Sequence, residues 1–209
     1  MAPETTDGRR LRSARNRELV LNAVLDIVNE QGGGPLPGAA QVARRARVSE
    51  RTVFRHFADL DSLFLAASAR QRPRLAAALE PRPSGRDLDA RIAAVVRLRS
   101  GLYEETAPVR RVAVRLAAAH EVVAEQIEES HLAARAQLSE VFGRELRRLP
   151  AARRSLLLDE LDLATDWSTW ETLRSVQGCG PGRARRLVAE IMAAVLRPAS
   201  RRRASPSLR

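Results

Sequence analysis

The sequence predicts an all-α protein of about nine helices, and three observations lead to this prediction. Apolar residues make up 44% of the 209 residues but aromatic residues only 3%, so Ala, Leu and Val build the core without the aromatic enrichment that is typical of sheets. Apolar positions recur at spacings of three and four residues, as on the buried face of a helix. Breaks rich in Gly and Pro separate these stretches, and no segment has a convincing strand pattern.

Short helices are predicted in the first 72 residues. Residues 1–13 are polar, and we expect them to form a disordered arm. Beyond them, Gly, Pro and residues that can cap a helix mark where each helix begins and ends. The predicted helices run from Asn16 to a break at 31–38, from Ala39 to Ala46, from the cap Ser49 to Phe57, and from Leu60 to Gln71 after the cap Asp59.

From residue 87 onward the amphipathic stretches are longer, with breaks predicted near Pro108, around 119–121, at Pro150 and at 178–182. The helix around 156–176 carries two apolar stripes, Leu157-Leu161-Ala164 and Leu163-Trp167-Trp170-Leu173. The last helix, Arg183–Arg197, is apolar over more than one stripe. Two apolar faces imply burial on two sides, either in a core and against a second copy of the chain or within a layered monomer. The tail 198–209 is basic, and we expect it to be disordered.

The positive charge lies at the two ends of the chain. Residues 1–57 carry a net charge of +4, residues 58–182 are neutral, and residues 183–209 carry +7. All 36 basic residues are arginine. Guanidinium groups bind phosphates and guanine edges well, although a GC-rich genome would also favour Arg over Lys. A neutral central region between two basic ends indicates that one segment of the chain binds an anion.

Several classes of protein are disfavoured by the sequence. No apolar run approaches the ~18 residues that span a bilayer, and the first eight residues do not resemble a secretory signal. A single cysteine, Cys179, excludes an internal disulfide and a multi-cysteine metal site. We find no nucleophile elbow, phosphate loop or HExxH motif. We therefore expect a soluble cytoplasmic protein that is not an enzyme and has no catalytic residues, metal or cofactor.

Residues 38–57 carry the most informative pattern. Ala43 is small enough to let two helices cross closely, and apolar residues around it can form a shared core: Val42, Ala46, Val48 and Val53. If Val53 points inward, helical spacing turns Arg51, Thr52 and Arg55 outward. A helix with this outer face can enter the major groove of DNA. Exposed arginine is also common on ordinary amphipathic helix pairs.

Residues 15–72 resemble the N-terminal domain of the TetR family of bacterial transcriptional regulators. The segment Val48-Ser-Glu-Arg-Thr-Val-Phe-Arg-His-Phe57 is similar to the recognition-helix signature of that family. The preceding helix, which ends in Asn-Glu-Gln-Gly, and the following Asp59-Leu-Asp-Ser-Leu also match in order and spacing. The resemblance implies a helix-turn-helix domain over 14–72, with its motif at 38–57. It also implies an effector-binding and dimerisation domain over 73–197.

The resemblance further implies a repressor that a small-molecule effector releases from double-stranded DNA. A homodimer formed through the last two helices would read a near-palindromic operator. Carried over by position, Thr52, Phe54 and His56 contact phosphates, Arg51 and Arg55 contact bases or backbone, and Gln41 faces the backbone near a helix N-terminus.

The segment departs from the family pattern at three positions. Phe54 replaces the usual tyrosine, Leu60 stands where lysine is common, and Gly38 replaces the usual Ser or Thr cap. These changes indicate weaker or differently distributed contacts to the DNA backbone. The basic arm could compensate by reaching the minor groove, or it could simply be a solvated tail. Its basic residues are Arg9, Arg10 and Arg12.

Candidates for the effector pocket are aromatic residues and histidines on apolar faces. Such residues are more often part of an ordinary helical core. Three acidic residues, Asp159, Asp162 and Asp166, could attract a cationic ligand, although an acidic face toward solvent is the usual arrangement. We expect an effector that is apolar or weakly polar. The alternative is an effector-independent DNA-binding protein with an architectural or chromosome-maintenance role, which a filled core would favour. The pocket candidates are Tyr103, His120, His131, Trp167 and Trp170.

Overall fold

The structure is a computed structural model that describes residues 4–70, 73, 76, 84–85 and 87–201. Every regular element in this part of the chain is helical, which confirms the all-α prediction. The short helices α7 and α9 have only four and five residues. The elements are α1 (Glu4–Glu30), α2 (Ala39–Ala46), α3 (Glu50–His56), α4 (Leu60–Ala69), α5 (Leu88–Leu116), α6 (Glu121–Val141), α7 (Gly143–Leu146), α8 (Ala151–Thr165), α9 (Trp167–Glu171), a π-helical turn (Thr172–Val176) and α10 (Pro181–Arg201).

The chain divides into two compact units. The first contains Met1–Arg74 and Thr106–Gln126, and the second contains Leu75–Glu105 and Ile127–Arg209. Helices α5 and α6 therefore contribute residues to both units. The sequence prediction assigned 106–126 to the C-terminal domain. The structure differs because Val109 and Val112 of α5 are buried in the apolar core of the first unit.

The core of the first unit holds α2 and α3 in place. Helices of seven or eight residues are not stable alone in water, so α2 and α3 depend on tertiary packing. They pack on each other and on α1, and each fully buried aliphatic side chain contributes about 1.5–3 kcal/mol. The buried residues come from α1 (Val20, Leu21, Val24, Ile27, Val28), α2 (Val42, Ala43, Ala46), α3 (Val53) and α4 (Leu63, Phe64, Ala67), together with Phe57.

Side-chain caps fix where α3 and α4 begin. The Ser49 hydroxyl accepts a hydrogen bond from the backbone N–H of Thr52 at 3.2 Å. The Asp59 carboxylate accepts from the Ser62 N–H at 2.7 Å, while the Ser62 hydroxyl accepts from the Asp59 N–H at 3.2 Å. This reciprocal pair is a capping box. Helix α2, in contrast, begins at Gly38 without a side-chain cap.

Three helix boundaries differ from prediction. Helix α1 begins at Glu4, so residues 4–13 are helical; Arg, Leu and Glu favour helix, and the single Gly8 costs only about 1 kcal/mol. Helix α5 continues through Pro108, since burial of the neighbouring Val109 offsets one lost hydrogen bond. Helix α10 continues to Arg201, because the buried Leu196 anchors its last turns. The remainder of the predicted tail, 202–209, lies outside the described residues.

The predicted helix over 156–176 is broken at Asp166. The backbone of Asp166 is extended (φ −70°, ψ 158°), and its carboxylate accepts from the Ser168 N–H at 3.0 Å to cap α9. Because of this break, the residues of the second predicted stripe do not share one face. Leu163, before the break, is 70% exposed, whereas Trp167, Trp170 and Leu173, after it, are buried. The first stripe, of Leu157, Leu161 and Ala164, is buried as predicted.

An ion pair inside the second unit joins α5 to α7. The Arg91 guanidinium donates to both carboxylate oxygens of Glu145, at 2.7 and 2.9 Å. Burial alone would raise the pKa of Glu145, but hydrogen bonds from Arg91 and its charge outweigh burial and lower it. Glu145 therefore stays ionised although its side chain is almost fully enclosed.

Two adjacent glycines make a matched test of the first unit. Gly33 (φ +81°) lies where a Cβ would come within 2.5 Å of the Pro108 carbonyl oxygen, whereas Gly32 (φ +63°) has nothing within 4 Å of that position. Gly32→Ala should cost about 1–2 kcal/mol for its left-handed backbone. Gly33→Ala should lower the free energy of unfolding by more than about 1 kcal/mol beyond the loss in Gly32→Ala. The added Cβ would collide with backbone atoms of Pro108, which cannot move aside as a flexible side chain can. Urea unfolding measures both, and equal losses would contradict the close approach.

Candidate nucleic-acid interface

Helix α3 has one buried side and one open side. Val53 is 1% exposed and belongs to the core of the first unit. Arg51 and Arg55 are exposed and lie four residues apart, so they share one face of the helix. Neither guanidinium forms an ion pair or a hydrogen bond within the described part of the chain. The open side therefore presents two positive charges with all their donors available to a ligand.

The other predicted contact residues surround this pair. Phe54 is 49% exposed, which is unusual for an aromatic ring in a chain with so few of them. Thr52 is half-buried, and its hydroxyl lies 2.9 Å from that of Ser49. Gln41 is half-buried in the first turn of α2. The structure thus brings the predicted DNA-contacting residues onto α2 and α3.

His56, at the end of α3, is half-buried. Its Nε2 is enclosed and has no hydrogen-bond partner among the described residues, so in this orientation only Nδ1 can meet a phosphate. Burial, followed by the charges of Arg55 and Arg17, lowers the pKa of the His56 imidazole. Arg17 of α1 also stacks over the Phe57 ring at 5.2 Å from the centroid.

Two further basic residues were missed by the sequence analysis. Arg44 at the end of α2 and Arg47 in the turn before α3 are both exposed, and neither forms an ion pair among the described residues. Arg45, between them, is bound to Glu30. The signal for them was local charge, because residues 44–55 contain five arginines and one acid. Arg9, Arg10 and Arg12 are exposed on α1, so the predicted arm is a basic helix.

Three of the predicted effector residues lie together in the second unit. Tyr103 packs edge-on against Trp167 with ring centroids 5.6 Å apart, and its hydroxyl donates to the Thr165 carbonyl at 3.0 Å. Trp170 donates from Nε1 to Glu104 at 3.1 Å. The cavity lined by Tyr103 and Trp170 has a volume of only about 10 Å³, which is room for about one water molecule.

Neither predicted histidine lines this cavity. His131 Nε2 lies 3.1 Å from a carboxylate oxygen of Asp162 in the second unit. His120 Nε2 lies 2.9 Å from Asp61 in the first unit. Carboxylate partners therefore explain where both side chains point, and the assignment of these histidines to an effector pocket stays a prediction.

A buried arginine beside the cavity was also missed. Arg99 is 2% exposed and donates hydrogen bonds to the carbonyl and hydroxyl of Thr165 and to the carbonyl of Ala134. Burial lowers the pKa of its guanidinium, against the opposing influence of nearby Tyr103 and carboxylates. The sequence signal was an arginine at helical spacing from the buried Val95 and Tyr103. Because it binds the last carbonyl of α8, Arg99 stabilises that helix end.

Two solved structures are similar to this chain over most of its length. A protein assigned as a transcriptional regulator of Streptomyces coelicolor A3(2) matches with a TM-score of 0.55 and 22% identity, covering 87% of this chain and 98% of that one. A protein assigned as a TetR-family transcriptional regulator of Mesorhizobium loti MAFF303099 matches with a TM-score of 0.58 and 16% identity, covering 90% and 98%. The chain has a TetR-type fold.

In this TetR-type fold, α2 and α3 are the helix pair predicted from residues 38–57. No protein-family model matches the chain, and no curated protein matches its sequence. Across the described ranges, no helix is both long and apolar enough to span a membrane. The same ranges contain no group of three or more potential metal ligands.

The lowered pKa of His56 gives a prediction with a defined sign. Folded His56 binds its proton less tightly than the unfolded chain does, so its contribution to stability is present above the unfolded value of about 6.5 and is lost as the pH falls through the folded pKa. NMR titration should give a pKa below 6.5 for His56. In Arg55→Gln the pKa should rise only part of the way, because burial remains the larger cause. A value at or above 6.5 would contradict the buried environment.

Proposed function

We propose that this chain is a cytoplasmic, nucleoid-associated transcriptional regulator of the TetR family that binds a specific DNA sequence. One observation carries the proposal. Val53 lies on the buried side of α3, so that Arg51 and Arg55 project from the open face of the helix without partners in the described chain. Unpaired guanidinium groups on one helix face suit the major groove, where arginine bonds bidentately to guanine. The TetR-type fold supports the same function.

The surrounding residues suit the backbone and the remaining base edges. The first turn of α2 has no acidic residue and no side-chain cap at Gly38, so the N–H groups of Ala39 and Ala40 are available to a phosphate. Arg44 and Arg47, at the opposite end of α2, add exposed positive charge just before α3. The exposed Phe54 ring cannot replace the hydroxyl of a tyrosine, but it can contact a thymine methyl group.

Exposed apolar side chains support a homodimer formed through the C-terminal helices. Helices α8 and α10 pack on each other, yet Leu156 and Leu163 of α8 and Ile191 of α10 remain exposed. Apolar side chains exposed on adjoining elements mark an interaction surface. A two-fold dimer would present two copies of α3 and read a near-palindromic operator on double-stranded DNA.

Repression relieved by a small molecule is the finer part of the proposal. An apolar or weakly polar effector would enter beside Tyr103 and Trp170, where the present cavity of about 10 Å³ must widen by side-chain movement. Release of most of the bound DNA needs an effector that prefers the released state by about 5 kcal/mol.

The filled core favours a second candidate, a DNA-binding protein without an effector that has an architectural or chromosome-maintenance role. The small size of the cavity beside Trp170 is the observation in its favour. Genome-wide binding separates the two candidates. A regulator occupies a few strong sites, whereas an architectural protein occupies many weak ones.

The DNA-binding surface is tested with the Arg51→Ala, Arg55→Ala double variant. Fluorescence anisotropy against DNA from upstream of its own gene should show binding weakened by roughly thirtyfold or more, since each good base contact supplies about 1–3 kcal/mol. The matched control, Arg144→Ala with Arg148→Ala, removes the same charge at the same spacing in the second unit and should retain affinity. Wild-type binding no tighter than that of the double variant on every upstream fragment would overturn the proposal.

The dimer surface is tested with Leu163→Asp. Because Leu163 is 70% exposed, an aspartate there leaves the core of the second unit intact. Sedimentation should show a dimer for the wild type and a monomer for the variant, since a charge desolvated at an interface is costly. Leu132→Asp, at a 54% exposed position on α6, should remain dimeric. Dissociation of both variants, or of neither, would contradict an interface at α8.

A further inference from the structure

A second, larger cavity lies within the second unit. It is an open groove with a volume of about 420 Å³ between the end of α6, α7 and the start of α8. This volume is within the 300–1,000 Å³ of typical ligand pockets, and it needs no movement of the protein to admit a ligand. No residue of the groove belongs to the DNA-binding surface or to the aromatic cavity.

Two exposed arginines, Arg147 and Arg154, line the groove. The Nη1 of Arg147 lies 2.9 Å from the position that a Cβ on Gly143 would take, so the guanidinium folds back over that glycine. Arg154 donates to the Leu149 carbonyl at 3.3 Å, which keeps its head near the start of α8. Among the described residues, neither arginine forms an ion pair.

No acidic residue compensates these charges within the groove. Between Gly143 and Ser155 the sequence has five arginines and one acid. That acid, Glu145, is already bound by Arg91, and Arg153 is paired with Glu160. The unbalanced charge of the region therefore remains with groove residues and their exposed neighbours.

The rest of the lining has an apolar and a hydroxyl part. Leu146 is buried and Leu158 is half-buried, and both line the groove. Ser139 and Ser155 add hydroxyl groups that can donate to an anion. Two guanidinium groups with neighbouring hydroxyls suit a carboxylate or phosphate head. The leucines suit a short hydrocarbon body.

We propose that this groove binds a small amphipathic anion, with its carboxylate or phosphate between Arg147 and Arg154 and its apolar part against Leu146 and Leu158. The site is separate from the proposed DNA-binding function and does not depend on it. Charge complementarity identifies the class of ligand, and the volume limits it to a small molecule.

Isothermal titration calorimetry without DNA tests the proposal with octanoate and octyl phosphate, which separate the two head groups, and with octylammonium as the opposite charge. Octanoate or octyl phosphate should bind the wild type, and octylammonium should not. In the double variant Arg147→Gln, Arg154→Gln, the affinity for octanoate or octyl phosphate should fall about tenfold or more, because two charge-assisted hydrogen bonds are lost. Circular dichroism should show an unchanged helical content for the variant.

Two further variants keep the test decisive. Arg185→Gln with Arg186→Gln removes the same charge from exposed positions on α10 and should bind like the wild type. Ser155→Trp leaves both arginines in place but fills the groove, and it should abolish binding. Equal affinity in all variants, or binding of octylammonium, would overturn the proposal. Tighter binding of hexaglutamate than of either anion would replace it with an acidic protein partner. Because DNA is absent, failure here is distinguishable from failure to bind an operator.

Discussion

The packing of Val53, on the buried side of α3, into the core of the first unit is the contact on which the proposed function depends. Helix α3 has only seven residues, too few to persist without tertiary support, and Val53 is its one buried residue. This single anchor, with Phe57 just beyond the helix, fixes the rotation of α3 about its axis. The rotation in turn decides that Arg51 and Arg55 face outward. The orientation of two charged groups is thus set by the burial of one small apolar side chain.

The first unit was largely predictable because its signals are local. Ser49 and Asp59 are caps with hydrogen bonds to backbone three residues ahead, so a short window of sequence specifies where α3 and α4 begin. The bounds of α2 followed from the break before it and the turn at Arg47. The family resemblance supplied the residue roles. Helix α1 was placed too short, because propensity gives no sharp start where charged residues and a single glycine tolerate either state.

The second unit was less predictable because its decisive interactions join distant residues. Arg99 binds carbonyls 35 and 66 residues away, and Arg91 reaches Glu145 across 54. A helical-periodicity argument cannot assign such partners to an arginine. The break at Asp166 was also missed, since the apolar spacing of Leu163, Trp167 and Trp170 continues through it. Only the extended backbone of Asp166 shows that the residues before and after it, which form one apolar stripe in the sequence, face different directions in the structure.

Some arginines meet carboxylates and others meet none, and the proposed sites lie where two arginines without a carboxylate share one helix face or one groove. Arg45, Arg91, Arg135 and Arg153 meet carboxylates of the chain itself. Arg51, Arg55, Arg147 and Arg154 meet none among the described residues, and they occur in two separate pairs. An exposed cation gains little from remaining unpaired, but its donors are already available to an incoming anion. The pair on the open face of the short helix α3 suits a polyanion. The pair that lines the groove of α6, α7 and α8 suits an anion small enough to enter it.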